Sequence, residues 1–386
     1  LFPGIATIQH LRDTLADHSN IPNADTPIAE TSHDFRLISI GREIERRAAD
    51  EAGIRFSAIP AAPSPGFSPL AAVRFLAETT RGIRAARSLL QSHGAALVIG
   101  LGGFASAPTI LAARRLGIPI VLLEQNIIPG RLTRRFARHA QAVFLSFEES
   151  VRYFKPEMHR RLKVTGNPVR KRFLELARDT SSGSIPDVIR VAVLGGSAGA
   201  VALNQAIPRA LKIAMAAVDT VEWSITHQSG DHIEFDTAST ESLYRSLKIE
   251  ARVETFFDIP AARLAACDLA ICRAGATTLA ELAVLGLPAI AIPYPYAADD
   301  HQLANARYYA DRGGLKIVDQ RQHANDAALI ETLADTICSL VETPGRLRKM
   351  AGAMRSAARP AAADQVARSV QSIISSTKKT QVPAPK

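Results

Sequence analysis

Polar side chains that could bind a sugar nucleotide are concentrated in residues 268–302 of the sequence. Glu281 lies one turn into a predicted helix, where its carboxylate could accept a hydrogen bond from a ribose hydroxyl. His301 and Gln302 follow the next predicted strand, in a loop at the same edge of the sheet. The pattern is equally typical of an ordinary strand–helix–strand unit whose small residues serve packing. A nucleotide-sugar site is therefore one of two interpretations.

Hydrophobic runs and helix breakers predict the elements that must position these side chains. Leu269–Cys272 has the length of a buried strand, residues 277–285 form a helix, and residues 287–292 form a second buried strand. Gly286 and Pro288 end the helix between the two strands. A unit of this kind implies a parallel sheet, which binds ligands at the carboxyl ends of its strands. The free N–H groups at the helix start suit phosphate.

Glycine-rich turns follow predicted strands in both halves of the chain. Gly102 and Gly103 form one such turn, and the segment GGSAGA at 195–200 forms another. Glycine allows the backbone to approach a phosphate closely. Ser197 could donate a hydrogen bond to a phosphate, or simply cap the following helix. Because the two halves repeat the same order of elements, we expect two similar α/β domains that face each other.

Two further segments have a predicted role. Glu124, Gln125 and Asn126 stand at the carboxyl end of a predicted strand at 118–123, and three polar side chains there exceed what packing requires. We therefore expect a binding role for them. Residues 164–170 are punctuated by glycine and proline and precede a serine-rich stretch, so we place the interdomain linker there.

The bulk composition limits the class of protein. A chain of 386 residues is too long for one typical core, and 47% hydrophobic with 22% charged residues describes a soluble globular protein. No run of eighteen apolar residues occurs, so no membrane-spanning helix is predicted. Three cysteines are too few for a disulfide framework, so we expect small core residues and a reducing, cytoplasmic compartment.

The net charge of +9 favours an anionic partner, which could be nucleic acid, anionic lipid or a phosphate-bearing substrate. One Trp, six Tyr and no repeated basic–aromatic pattern disfavour nucleic acid. The predicted helix at 70–91 mixes apolar residues with arginines, and a second basic cluster lies at 131–138. The helix is either core-facing with a solvated basic side, or a surface that binds anionic lipid headgroups.

Six segments, taken in order, carry a resemblance to a known family. They are FPGIA, GLGGFASAP, LLEQNIIPG, VTGNPVR, LGGSAGAVALNQ and CRAGATTLAELAVLGLPAIAIPYPYAADDHQLANA. With these segments the chain, from Leu1 to about Ile374, resembles the MurG-type glycosyltransferases. These are the UDP-N-acetylglucosamine:N-acetylmuramyl-(pentapeptide) pyrophosphoryl-undecaprenol N-acetylglucosamine transferases of peptidoglycan synthesis.

The resemblance implies a fold and a division into domains. The fold would be α/β of GT-B type, with two Rossmann-like domains whose parallel sheets face an interdomain cleft. Residues 1–166 would form the N-terminal acceptor and membrane-side domain, and residues 167–357 the C-terminal UDP-sugar donor domain. Residues 358–374 would form a helix that crosses back to the first domain, followed by a disordered tail at 375–386.

The resemblance also implies a reaction. N-acetylglucosamine would pass from UDP-N-acetylglucosamine to the 4-hydroxyl of the muramyl sugar in lipid I, with inversion, to give lipid II. The enzyme would work as a peripheral protein at the cytoplasmic face of the inner membrane, on an anionic surface and without nucleic acid. No Asp-x-Asp pair stands at a strand end. We therefore expect no cofactor and no metal, with the charge of departing UDP met by helix N-termini and Arg170.

The resemblance implies donor-site positions. They are Asn126, Arg170, Ser197, Asn204, Phe257, Ala276, Thr277, Glu281, His301 and Gln302. Glu281 would hold the ribose, the backbone of Phe257 would lie by the uracil, and Ser197 would bind the diphosphate. His301 and Gln302 would contact the sugar hydroxyls.

On the acceptor side, the resemblance implies a diphosphate loop that includes Gly102 and Gly103. Phe104 occupies a position that is often tyrosine in the family, so a hydroxyl there is absent. Glu124 is the best carboxylate for a general base or for electrostatic support. The family begins with a strand and a GGTGGH-like loop, and Leu1 follows the position of its histidine. The sequence is therefore interpreted as truncated, and the chain is expected to bind donor yet catalyse poorly.

Two alternatives remain open at the level of sequence. One keeps the fold and changes the acceptor, so that the sugar passes to diacylglycerol and makes a glycolipid. The other is a non-catalytic or NAD-binding Rossmann module, although no G-x-G-x-x-G follows a strand and GGSAGA has the wrong spacing.

Overall fold

The structure is a computed structural model that describes residues 1–19, 34–63, 69–177, 187–196, 200–232, 235–257, 260–343 and 345–381. The chain divides into two compact units. Unit 1 comprises Leu1–Lys171 and Pro360–Lys386, and unit 2 comprises Arg172–Arg359.

Fourteen α-helices and twelve strands lie within the described residues. The helices are α1 (Phe2–Ser19), α2 (Glu43–Glu51), α3 (Pro69–Ser92), α4 (Ala107–Arg115), α5 (Arg131–Phe136), α6 (Lys171–Glu175), α7 (Val201–Ala217), α8 (Thr237–Ser246), α9 (Pro260–Ala265), α10 (Ala276–Leu285), α11 (His301–Ala310), α12 (Asp326–Val341), α13 (Arg346–Ala357) and α14 (Ala362–Gln381). The strands are β1 (Arg36–Ser39), β2 (Arg55–Ala58), β3 (Val98–Gly100), β4 (Ile120–Glu124), β5 (Ala142–Leu145), β6 (Leu162–Val164), β7 (Val188–Leu194), β8 (Glu222–Gln228), β9 (Ala251–Glu254), β10 (Leu269–Cys272), β11 (Ala289–Ala291) and β12 (Leu315–Ile317).

Unit 2 is built on one parallel sheet with the strand order β12–β11–β10–β7–β8–β9. From β7 the chain adds strands outwards to β9, and then returns to β10 and adds strands in the other direction. The order reverses between β7 and β10, which are paired neighbours. In open α/β sheets, ligands bind at the carboxyl ends of the strands at such a switch point.

The core of unit 2 explains why this sheet is a rigid platform. Val191 and Val193 of β7 and Ile271 of β10 are fully buried, in one cluster with Leu211 of α7 and Leu333 of α12. Near-continuous apolar strands are typical of parallel sheets covered on both faces.

The predicted unit around α10 is confirmed, with a shorter second strand. Strand β10 covers the predicted residues, and α10 begins one residue before the predicted range. Gly286 ends α10 in the left-handed conformation at φ 67°. Strand β11 spans only Ala289–Ala291, because the N–H of Leu287 bonds to Leu282 O at the end of the helix and Pro288 has no N–H.

Unit 1 contains parallel strands in two separate sheets. Strands β1 and β2 form one sheet, and β3 to β6 form the other in sequence order. The edges of β1 and β3 both line a cavity of about 590 Å³, together with residues of α1 and α14. Helix α14 packs on α1, with Val366 and Val370 in one buried cluster with Leu11.

Two boundaries differ from those expected from the sequence. The segment predicted as a linker lies within unit 1, because residues 165–169 are buried and the N–H of Thr165 bonds to Leu145 O. The division falls after Lys171 instead of after residue 166. Helix α14 continues to Gln381, beyond the residue at which the disordered tail was expected to begin, since no glycine or proline interrupts the chain before Pro383.

Candidate functional site

The turn after β7 lies close against the backbone at the end of β8, at the switch point of unit 2. The N–H of Gly195 bonds to Gln228 O at 2.8 Å. A Cβ on Gly195 would lie 2.8 Å from Ser229 O and 3.0 Å from Asn204 Oδ1, so only glycine fits there. Strand β7 ends at Leu194 and helix α7 begins at Val201, with residues 195–200 between them. Ser197, the predicted diphosphate ligand, lies outside the described residues.

The turn after β10 brings a second helix start to the switch point. Gly275 precedes α10, whose first two residues are Ala276 and Thr277. The N–H groups in the first turn of a helix have no acceptor within the helix and attract anions. Glu281 lies further along α10 and is 6% exposed. The structure thus places all three predicted positions on the helix that starts at the switch point.

His301 and Gln302 begin α11, and their hydrogen bonds fix which atoms they can offer to a ligand. His301 Nδ1 lies 2.7 Å from Ala298 O, and since a carbonyl only accepts, Nδ1 carries a proton, which in the neutral ring makes Nε2 an acceptor. The N–H of Tyr294 donates to Gln302 Oε1 at 2.9 Å, which leaves Nε2 as a donor. A sugar hydroxyl both donates and accepts, so this pair matches hydroxyl groups.

Arg273 directly follows β10, and the sequence analysis assigned no role to it. Its Nη1 lies 3.1 Å from Ile292 O and 3.2 Å from Pro293 O, and its guanidinium lies 5.5 Å from the Tyr294 ring centroid. Burial lowers the pKa of Arg273 to about 10, so it remains charged at neutral pH. Arg273 therefore fastens the segment that leads to His301. A charged residue directly after a buried strand was the available signal.

Gln228, at the end of β8, holds the predicted donor-site residue Phe257 in place. Gln228 Oε1 accepts a hydrogen bond from the N–H of Phe257 at 3.3 Å. The Phe257 side chain is buried, at 5% exposure. The N–H of Phe257 already bonds to Gln228, so the predicted uracil contact through the Phe257 backbone would have to be made by its carbonyl.

Asn204 is fully buried, and both polar atoms of its amide are used within unit 2. Its Nδ2 donates to Ser229 O at 3.0 Å, and its Oδ1 lies 3.1 Å from His227 Nε2. Within unit 2 the Asn204 side chain therefore holds protein groups, and its predicted contact with the donor stays a prediction.

Glu124 and Asn126 belong to unit 1, where the carboxylate closes the loop after β4. Glu124 Oε1 accepts from the backbone N–H of Asn126 at 3.1 Å and from its Nδ2 at 3.3 Å. Glu124 Oε2 accepts from the N–H of Gly130 at 3.0 Å. Glu124 is only 4% exposed. Its evident role is to hold the loop at 125–130, and its predicted role as a base stays a prediction.

The remaining predicted positions also lie in unit 1. Gly102 and Gly103 have φ of 78° and 69°, which favour glycine, in the turn between β3 and α4. Phe104 begins the short 3₁₀ turn that follows. The Arg170 guanidinium lies 4.4 Å from the ring centroid of Phe2, a cation–π contact.

Within residues that the structure describes, no three His, Cys, Asp or Glu side chains converge in a way that could hold a metal ion. Across the same parts of the chain, no helix combines the length and apolar character needed to cross a bilayer.

Comparison with known proteins gives the family. The glycosyltransferase family 28 N-terminal domain matches residues 28–145, and the family 28 C-terminal domain matches residues 190–366. A UDP-N-acetylglucosamine–N-acetylmuramyl-(pentapeptide) pyrophosphoryl-undecaprenol N-acetylglucosamine transferase of Geobacter sulfurreducens is 36% identical over 99% of this chain and 96% of its own. A protein of the same name from Rhizobium rhizogenes is 34% identical over 90% of this chain and 89% of its own.

Solved structures agree with this assignment. The crystal structure of MurG from Acinetobacter baumannii is 26% identical, with a TM-score of 0.65, and covers 96% of this chain and 95% of its own. A UDP-GlcNAc 2-epimerase from Neisseria meningitidis, with a TM-score of 0.61, 14% identity and coverage of 96% of this chain and 98% of its own, shows a shared fold alone. The fold is therefore of GT-B type, and the chain belongs to glycosyltransferase family 28, among the MurG-type N-acetylglucosamine transferases.

Proposed function

We propose that this chain transfers N-acetylglucosamine from UDP-N-acetylglucosamine to lipid I and so forms lipid II for peptidoglycan synthesis. The observation that carries the proposal is the switch point of unit 2, where the starts of α7 and α10 follow neighbouring strands. Relatives that match almost the whole chain are named for this donor and acceptor, which supports the choice of substrates.

The donor would bind along the carboxyl edge of the unit 2 sheet. Its diphosphate would face the first N–H groups of α7 and α10, where a negative charge is stabilised. Its ribose would lie by Glu281 and its uracil by the carbonyl of Phe257. The sugar hydroxyls would meet the acceptor Nε2 of His301 and the donor Nε2 of Gln302.

The reaction is a direct displacement with inversion. The muramyl 4-hydroxyl oxygen attacks the anomeric carbon, the bond from that carbon to the β-phosphate oxygen breaks, and the hydroxyl proton passes to a general base. The negative charge that develops on UDP is stabilised by the helix starts without a metal ion. Glu124 is the predicted base, although its three hydrogen bonds to the 125–130 loop equally suit a structural role.

Unit 1 would dock on an anionic membrane surface at the cytoplasmic face of the inner membrane. Val73 and Leu76 of α3 are 66% and 67% exposed, and they lie three residues apart, on one side of the helix. Arg74 and Arg81 on the same helix are exposed as well. Apolar side chains that enter the interface beside arginines that bind headgroups are typical of peripheral membrane proteins.

The proposal is tested by measuring UDP release from UDP-N-acetylglucosamine with lipid I or diacylglycerol as the acceptor, with and without EDTA. We expect turnover with lipid I that persists in EDTA. Glu281→Gln should weaken UDP-N-acetylglucosamine binding about tenfold, whereas Glu331→Gln on the exposed side of α12 should not. Stabilisation by NAD in place of the sugar nucleotide, or transfer to diacylglycerol alone, would contradict the proposal.

A further inference from the structure

Unit 2 contains a chain of buried polar side chains that no step of the proposed reaction uses. His227 of β8 is fully buried, with Nδ1 3.0 Å from the hydroxyl of Tyr244 and Nε2 3.1 Å from Asn204 Oδ1. Asn204 Nδ2 lies 3.0 Å from Ser229 O. We call Tyr244, His227 and Asn204 the buried relay. It links α8, β8 and α7.

Each proton in the buried relay can be assigned. Ser229 O only accepts, so Asn204 presents Nδ2 to it and Oδ1 to His227. His227 Nε2 must then carry the proton, and Nδ1 accepts from the Tyr244 hydroxyl. Burial lowers the pKa of His227 to about 3, so the neutral imidazole that this pattern needs persists at neutral pH. All donors point the same way, from α8 towards the end of β8.

The relay ends at the backbone that forms the switch point. Ser229 O, its last acceptor, lies 2.8 Å from the position that a Cβ on Gly195 would take. The N–H of Gly195 bonds to the preceding carbonyl, Gln228 O, at 2.8 Å. Asn204 is also in the first turn of α7, and its N–H bonds to Ala200 O. The Asn204 side chain therefore bonds to the end of β8 and lies close to the turn after β7, while its backbone belongs to the start of α7.

We infer that the buried relay is a positioning device, which sets the turn at Gly195 and the first turn of α7 at the separation that a diphosphate requires. The inference rests on the proposed donor site and adds to it the residues that hold its phosphate-facing backbone. A shift at Asn204 would move the N–H groups at the start of α7 while leaving Phe257, which Gln228 holds, in place. Diphosphate binding should therefore respond to the relay more than nucleoside binding does.

The test compares UDP with uridine as ligands of the intact chain. Asn204→Asp keeps the shape and the acceptor for His227, but it sets a carboxylate oxygen against Ser229 O. We expect UDP binding to weaken at least tenfold and uridine binding by no more than about twofold. Tyr244→Phe removes only the first donor of the relay, and it should weaken UDP binding about threefold with uridine again unchanged.

Thr240→Val is the matched control, because Thr240 is equally buried in α8 and its hydroxyl bonds to Asp236 O, away from the turn. It should change neither affinity. Equal weakening of UDP and uridine in the relay variants would overturn the inference, as would unchanged UDP binding. If Asn204→Asp does not fold, Tyr244→Phe decides by the same criteria.

Amide hydrogen exchange in the ligand-free protein separates this inference from the proposed function. Asn204→Asp and Tyr244→Phe should speed exchange of the amides of Leu203 and Asn204, which bond to Ala200 O, and Thr240→Val should not. Wild-type protein that fails to bind UDP-N-acetylglucosamine would refute the proposed function and leave this readout intact. Unchanged exchange at Leu203 and Asn204 in both relay variants would refute the positioning role, whatever the wild-type protein binds.

Discussion

Substitution of Gly195 by alanine gives the most direct test of the switch-point geometry. The added Cβ would lie 2.8 Å from Ser229 O, 2.9 Å from Gln228 O and 3.0 Å from Asn204 Oδ1. The first two atoms are backbone oxygens, which cannot rotate away. Relief therefore requires that the end of β7 move away from β8, against the Gly195 N–H bond to Gln228 O.

The expected cost follows from these contacts. Overpacking of a closely packed site costs about 1–3 kcal/mol. For a unit of this size each kcal/mol lowers the melting temperature by roughly 2–4 °C, so a loss of about 4–8 °C is expected at the middle of that range. Since the same movement displaces the backbone that would face the diphosphate, UDP affinity should fall at least tenfold.

Thermal melting and isothermal titration with UDP measure the two effects. Gly352→Ala is the control, because Gly352 lies in α13 with no atom within 4 Å of its would-be Cβ. Alanine there should be neutral or should stabilise the protein by about 0.5–1 kcal/mol. If Gly195→Ala melted and bound UDP as the wild-type protein does, the tight contact at the switch point would be refuted.

Three further predictions concern a proton, a base and a membrane surface. Burial lowers the pKa of His227 in the folded state, so the neutral ring costs no stability above its ordinary pKa of about 6.5. As the pH falls from about 6.5 towards 3, the free energy of unfolding should decrease by about 1.4 kcal/mol per pH unit, because the unfolded chain binds the proton and the folded chain does not. A urea series at pH 7 and pH 5 in which wild type and His227→Gln lose stability equally would contradict this. Glu124→Gln should lower kcat by about 10² or more, with UDP affinity unchanged, if Glu124 is the base, and a kcat within threefold of wild type would exclude that role. Leu76→Asp should reduce co-sedimentation with anionic vesicles about tenfold. Ile213→Asp in unit 2, where the side chain is 45% exposed, should not reduce it. Equal binding by both variants would refute the role of α3 as the membrane-binding surface.

The α/β class and most elements could be predicted from the sequence, because their signals are local. The β10–α10–β11 unit has apolar runs of strand length and a breaker, Gly286, that adopts the expected left-handed conformation. Strand ends were less predictable. Strand β11 loses its first two predicted residues because the N–H of Leu287 is taken by α10.

The candidate site was predicted by residue type and position, but the function of each atom was not. The sequence indicates His301 and Gln302 as polar residues beside a strand end. Only the contacts with Ala298 O and the Tyr294 N–H decide that one presents an acceptor and the other a donor. Arg273 was missed as a brace, since its acceptors lie on another strand end, about twenty residues away along the chain.

Asn204 illustrates the difference between what the sequence predicts and what the tertiary structure decides. Within LGGSAGAVALNQ the sequence placed it near a phosphate-binding turn, and it does lie in the first turn of α7. Its side chain nevertheless points to His227 of β8 and to Ser229 directly after it, more than twenty residues later in the chain. The sequence alone determined two α/β halves, their glycine turns and the order of their elements, because periodicity and breakers act over a few residues. Strand order, the switch point between β7 and β10, and the direction of each buried hydrogen bond were decided by tertiary packing, because they join residues that are distant along the chain.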